Sequence, residues 1–89
     1  PTPGYQFIFP DAMKRKLTRE EVLAVDKSQL LKARYEILAR TGYVFNTKEW
    51  KVYFEAQDWY VPDESVAFDD MNEIESYNYE LIRAIDKEG

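Results

Sequence analysis

The chain contains neither histidine nor cysteine, so the commonest general base and the strongest side-chain nucleophile are both missing. The same gap leaves no ligand set for a structural zinc and no disulfide. Carboxylates are what remains for chemistry. Asp63-Glu64 and Asp69-Asp70 are the pairs that could flank a sugar as acid and base. They fall, however, on a loop and at a predicted helix start, where acidic side chains are favoured by free amides and the helix dipole. The same cluster lacks the D-x-[DN]-x-[DN]-G spacing of a calcium loop. Glu36 and Arg40 stand four residues apart on one helix face, the spacing of a surface ion pair worth a few tenths of a kcal/mol. The sequence therefore predicts no catalytic residue, no metal and no cofactor; a carboxylate hydrolase stays only as a remote alternative.

Two other polar residues sit where apolar ones belong. On a helical wheel at roughly 100° per residue, Leu30, Leu31, Ala33, Tyr35, Ile37, Leu38 and Ala39 form a broad apolar arc, with Arg34 at its middle. Lys32, Glu36 and Arg40 share the narrow opposite arc, expected to face water. In the last helix Met71, Ile74, Tyr77, Leu81, Ile82 and Ile85 make the stripe, and Asn78 lies inside it. A buried guanidinium or amide must be hydrogen-bonded. Arg34 is expected to donate to main-chain carbonyls or to Glu75, with Asn78 completing the network, or to stack on Trp50 or Trp59. Aromatic residues are the candidates for ligand contact: Trp59, Tyr60, Tyr43 and Tyr79, with Phe68. Among them Trp59 is also expected, with Phe45, in the core, and Tyr79, opposite the stripe, at the surface.

Capping signals set out the elements that must position these residues. Tyr5-Gln6-Phe7-Ile8-Phe9 is apolar and β-prone until Pro10 ends it, which predicts an extended segment laid on the core. Thr18 and Glu21 have capping-box spacing, giving a short helix over about 19–24. Asp26 with Gln29 opens a second helix that runs to about Thr41 and stops at Gly42. Asn46 with Glu49 opens a third, through about Gln57, and Asp69 caps a fourth over about 70–87. The fold class is all-α, a small bundle of about four helices with an extended N-terminal segment packed on it.

Eighty-nine residues make one domain, read as a flexible lead over 1–4 and a helical domain over 5–89. A chain this short buries only about 60–65% of its unfolded surface. Its two Trp, seven Tyr and five Phe are what supply enough apolar area to fold unstapled. The opening Pro1-Thr2-Pro3-Gly4, without Met, suggests an excised or processed piece of a longer protein, which is compatible with a removed signal sequence. Residues 1–45 hold eight basic and five acidic side chains, a balance of +3, and residues 46–89 hold four and twelve, a balance of −8. Net acidity argues against a nucleic-acid partner, which needs a basic footprint. No apolar run approaches the ~20 residues of a membrane span, so direct membrane insertion is not expected.

The stretch Ala33-Arg34-Tyr35-Glu36-Ile37-Leu38-Ala39-Arg40-Thr41-Gly42, followed by Tyr43-Val44-Phe45, resembles the ARNEIYARHG motif and aromatic tail of the YARHG domain family. Phe9-Pro10-Asp11 and Leu17-Thr18-Arg19-Glu20-Glu21 upstream, and Tyr53-Phe54, Trp59-Tyr60 and the Asn72-to-Ile82 segment downstream, extend the likeness from Tyr5 to Ile85. Arg34, Glu36, Ala39, Arg40 and Gly42 match the motif; Tyr35, Leu38 and Thr41 replace its Asn, Tyr and His. The resemblance implies a bacterial extracellular or cell-envelope module appended to other domains. The expected function is non-catalytic binding of cell-wall glycan, peptide or a partner domain. The alternative is a structural spacer or protein-interaction domain with no small ligand.

Overall fold

Four α-helices and three short 3-10 turns follow one another over residues 5–88, the part of the chain that the computed structural model describes. The predicted flexible lead over 1–4, and Gly89, lie outside the described residues. Helix α1 spans Arg19–Leu23, α2 Leu30–Thr41, α3 Lys48–Glu55 and α4 Glu73–Asp86, with no strand among the described residues. No helix of the described residues is long and apolar enough to cross a membrane.

Caps explain most boundaries. Thr18 and Glu21 form the expected reciprocal box at α1. Asp26 accepts from the Ser28 amide, without the expected side-chain pairing to Gln29, and starts the 3-10 turn that leads into α2 at Leu30. Gly42 ends α2 with φ +100°, and the segment after Trp59 passes so close that an added Cβ would lie 3.1 Å from the Val61 carbonyl oxygen. A side chain there is disfavoured on both counts. Two predicted starts shift. Helix α3 begins after Thr47, which makes no side-chain cap, rather than after an Asn46–Glu49 pair. Helix α4 begins at Asn72, whose amide oxygen and Glu75 form the box, because Asp70 instead accepts from the Ala67 amide and closes its own 3-10 turn over 68–70.

Helices α2 and α4 make the principal helix–helix contact. Between them lie Leu30, Ala33, Ile37, Leu38, Ile82 and Ile85, with Phe54 from α3 and Val22 from α1 closing the core. The charge asymmetry of the sequence appears as ion pairs that cross the fold: Lys16–Glu73 at 3.5 Å, Arg19–Glu88 at 2.6 Å and Arg34–Asp86 at 3.5 Å. The first two are exposed and add little to stability.

Candidate functional site

The motif helix α2 presents two polar sides to the rest of the chain, and the segment 5–13 covers one of them. Glu36, expected in water, is only 3% exposed. Its Oε2 accepts from the Tyr5 hydroxyl at 2.5 Å and its Oε1 from the Ile8 amide at 3.0 Å, while the Tyr53 hydroxyl lies 3.0 Å from that of Tyr5. Arg40 lies over the Phe7 ring at 4.0 Å and donates to the carbonyls of Phe9 at 3.3 Å and Pro10 at 3.1 Å. The expected Glu36–Arg40 surface pair is therefore replaced by two separate clamps on the N-terminal segment. A wheel of α2 alone could not show this. An extended segment carries main-chain groups that need partners once covered, and Glu36 and Arg40 are the groups that supply them. Burial pushes the Glu36 carboxyl above the usual range, opposed by the Tyr5 and Ile8 hydrogen bonds and by Lys32 and Arg40. Tyr5 is raised by burial and by its bond to Glu36.

Asn78 fixes the next stretch of the same segment. It is 0% exposed, accepts from the Leu17 amide at 2.7 Å and donates to the carbonyls of Ala12 and Arg15, both at 2.8 Å. It serves residues 12–17 and takes no part in a network with Arg34, contrary to expectation. Arg34 is also held otherwise than expected. Its side chain is 13% exposed, reaches Asp86 rather than Glu75, and lies 5.8 Å from the rings of Tyr35 and Tyr79 rather than over a tryptophan. Its Nε is buried without a partner among the described residues. Glu75 is committed to the α4 cap.

The aromatic candidates divide. Trp59 is half-buried in a triangle with Tyr5 and Phe7, at ring separations of 5.2 and 4.9 Å, and its Nε1 is buried without a partner among the described residues. Tyr60 is buried and donates its hydroxyl to the Tyr43 carbonyl at 2.6 Å. Both belong to the packing rather than to an open face. Tyr79, expected at the surface, is 6% exposed. Tyr77 and Tyr79 lie about 100° to either side of Asn78 on the wheel, and the turn carrying Phe68 covers the Tyr79 side, with the two rings 5.1 Å apart. Tyr77 is the one left exposed, beneath Lys16.

That arrangement leaves a cleft of about 220 Å³ between α2, the loop after it, the Phe68 turn and α4. Tyr35, Tyr43, Phe45, Phe68 and Tyr79 supply its rings, Leu38 its floor, and Asn46 and Thr47 its polar edge. Three of the five aromatic ligand candidates, Tyr43, Phe68 and Tyr79, meet here; Trp59 and Tyr60 do not. Phe45, Asn46 and Thr47 were not singled out as ligand contacts. The clue to them was the aromatic run ending at Phe45, directly followed by two residues with free polar side chains. Thr47 makes no cap bond, and the hydroxyls of Tyr35, Tyr43 and Tyr79 and the amide of Asn46 take no hydrogen bond among the described residues. Burial raises Tyr79 above the ordinary phenol range, with Arg34 opposing.

Two of the four acidic candidates for hydrolysis or calcium, Asp63 and Asp70, are engaged in local turns. Asp63 accepts from the Ser65 amide at 3.0 Å and hydroxyl at 2.6 Å, bonds that lower its carboxyl below the usual range. Asp70 is bound to the Ala67 amide. Among the described residues no three His, Cys, Asp or Glu gather as a metal site.

The YARHG domain family matches the chain over residues 5–88. The chain belongs to this family. No curated protein and no solved structure matches it. Of the positions that carry the YARHG motif, Glu36 and Arg40 hold the N-terminal segment, Arg34 reaches α4 and Gly42 turns the chain. Tyr35 and Leu38, where this chain departs from the motif, line the cleft.

Proposed function

We propose that this YARHG domain is a non-catalytic binding module of a secreted or cell-envelope protein, and that its ligand site is the aromatic cleft between α2 and α4. The observation that carries the reading is the contrast in how polar groups are used. The charged motif residues are consumed inside the chain, whereas the cleft gathers rings and polar atoms left free for something else. A site of convergent aromatic and unpartnered polar groups is the ordinary form of a ligand pocket.

Catalysis finds no support in the same geometry. Glu36 is the one buried carboxylate of the described residues, and it faces Tyr5 and the Ile8 amide rather than a cleft. The envelope location rests on family membership. Retention of the purified domain on insoluble peptidoglycan tests the reading. The wild type is expected to sediment with the wall material and Phe68→Ala to stay in the supernatant. Sedimentation of both proteins contradicts the cleft as the site, and sedimentation of neither leaves the spacer alternative standing.

A further inference from the structure

We infer that the cleft takes one neutral, hydroxyl-rich ring, the pyranose of a saccharide, rather than an anionic group or an apolar peptide side chain; this rests on the cleft being the ligand site. No charged side chain lines it. Carboxylates and phosphates are recognised most strongly by guanidinium or ammonium groups; the amides at the start of α3 adjoin Asn46 and Thr47, but no guanidinium or ammonium stands in this lining. Arg34, behind Tyr35 and Tyr79, is turned to Asp86.

An apolar side chain fits no better. Entering the cleft, it would lie against Asn46 and Thr47, exposed polar residues of the lining, and offer them no hydrogen bond in place of water. A pyranose satisfies both kinds of lining at once. Its C–H face lies against the electron-rich face of an aromatic ring, and its hydroxyls both donate and accept. Asn46 offers two donors and an acceptor, and each hydroxyl offers one donor with lone pairs. The size agrees: about 220 Å³ is below the roughly 300–1,000 Å³ of pockets that enclose a drug-sized ligand, so one ring enters and the rest of a chain runs outside. Phe68, 43% exposed, stands at the mouth.

The test is amide chemical-shift mapping of the folded domain against chitotetraose, cellotetraose, tetra-alanine and a leucine- and phenylalanine-containing tetrapeptide. One of the two saccharides is expected to shift Tyr43, Asn46, Thr47 and Phe68 in a saturable way. Asn46→Ala, Thr47→Val and Phe68→Ala, all altered at the surface, are each expected to weaken that binding about tenfold. A peptide that saturates the cleft while neither saccharide does overturns the sugar assignment and leaves the cleft as the site. Absence of any cleft shift with all four probes overturns both. Saccharide binding that the three variants leave unchanged places the sugar elsewhere and also overturns the assignment.

Discussion

The two sides of α2 carry different residues, charged on one and aromatic or apolar on the other, and put their polar atoms to opposite uses. Toward the N-terminal segment, Glu36 and Arg40 spend their hydrogen bonds on the chain's own backbone. Toward the cleft, the polar atoms of Tyr35, Tyr43, Asn46 and Thr47 are left over among rings. The difference teaches that the most recognisable part of this sequence is architectural. Its charges hold an extended segment that has no sheet to pair with. Binding, on this account, belongs to the side that the motif's charged residues do not occupy.

Changes on the structural side should damage stability most. Asn78→Ala deprives the Leu17 amide and the Ala12 and Arg15 carbonyls of their partner; a loss of about 3–5 kcal/mol in denaturant unfolding is expected. Glu36→Ala strands the Tyr5 hydroxyl and the Ile8 amide, for about 2–4 kcal/mol. Gly42→Ala forces a left-handed residue against Val61, for about 1–3 kcal/mol. A melting temperature unchanged by any of these removes that residue from the scaffold.

The pH dependence sharpens the comparison further. Because burial raises Glu36, the folded state holds its proton more tightly than the unfolded chain does. Its contribution is therefore fully present below the unfolded value near pH ~4.3 and is lost as pH rises through the higher folded value. Relative to Glu36→Gln, which does not titrate, the wild type should lose stability across that rise. Glu21, lowered to about 2 chiefly by Arg15, runs the other way: its contribution holds above the unfolded value and disappears as pH falls through about 2. Melting curves of wild type and Glu36→Gln from pH 3 to 8 would contradict the buried carboxylate if they stayed parallel. The smallest stability effects belong to the cleft. Asn46→Ala should change unfolding by no more than about 0.5 kcal/mol while weakening binding.

Much of this was legible in the sequence. The Thr18–Glu21 box, the Gly42 stop, the all-helical class and the anomalous burial of Asn78 follow from local spacing, which is where capping and periodicity act. What was not legible depended on partners distant in the chain. Glu36 looks solvated because residues 5–9 are some thirty positions away. Periodicity puts Tyr77 on the stripe and Tyr79 opposite it; the Phe68 turn, far from both in register, covers Tyr79 instead and leaves Tyr77 exposed. Arg34 meets Asp86 across 52 residues, a pairing that the charge split announces in sign but not in place. The cleft was partly visible, through Tyr43, Phe68 and Tyr79; its polar edge forms only when α2, α4 and the intervening loops come together.

The Ile8 amide is the most direct witness. Glu36 Oε1 is its acceptor, so its hydrogen-exchange rate in the native protein reports whether the motif carboxylate is truly held under the N-terminal segment. Strong protection in the wild type, abolished in Glu36→Ala while the amides of α4 stay slow, is the predicted result. An Ile8 amide that exchanges as fast as a free peptide in the wild type would mean that Glu36 faces water and that the motif does not serve the scaffold.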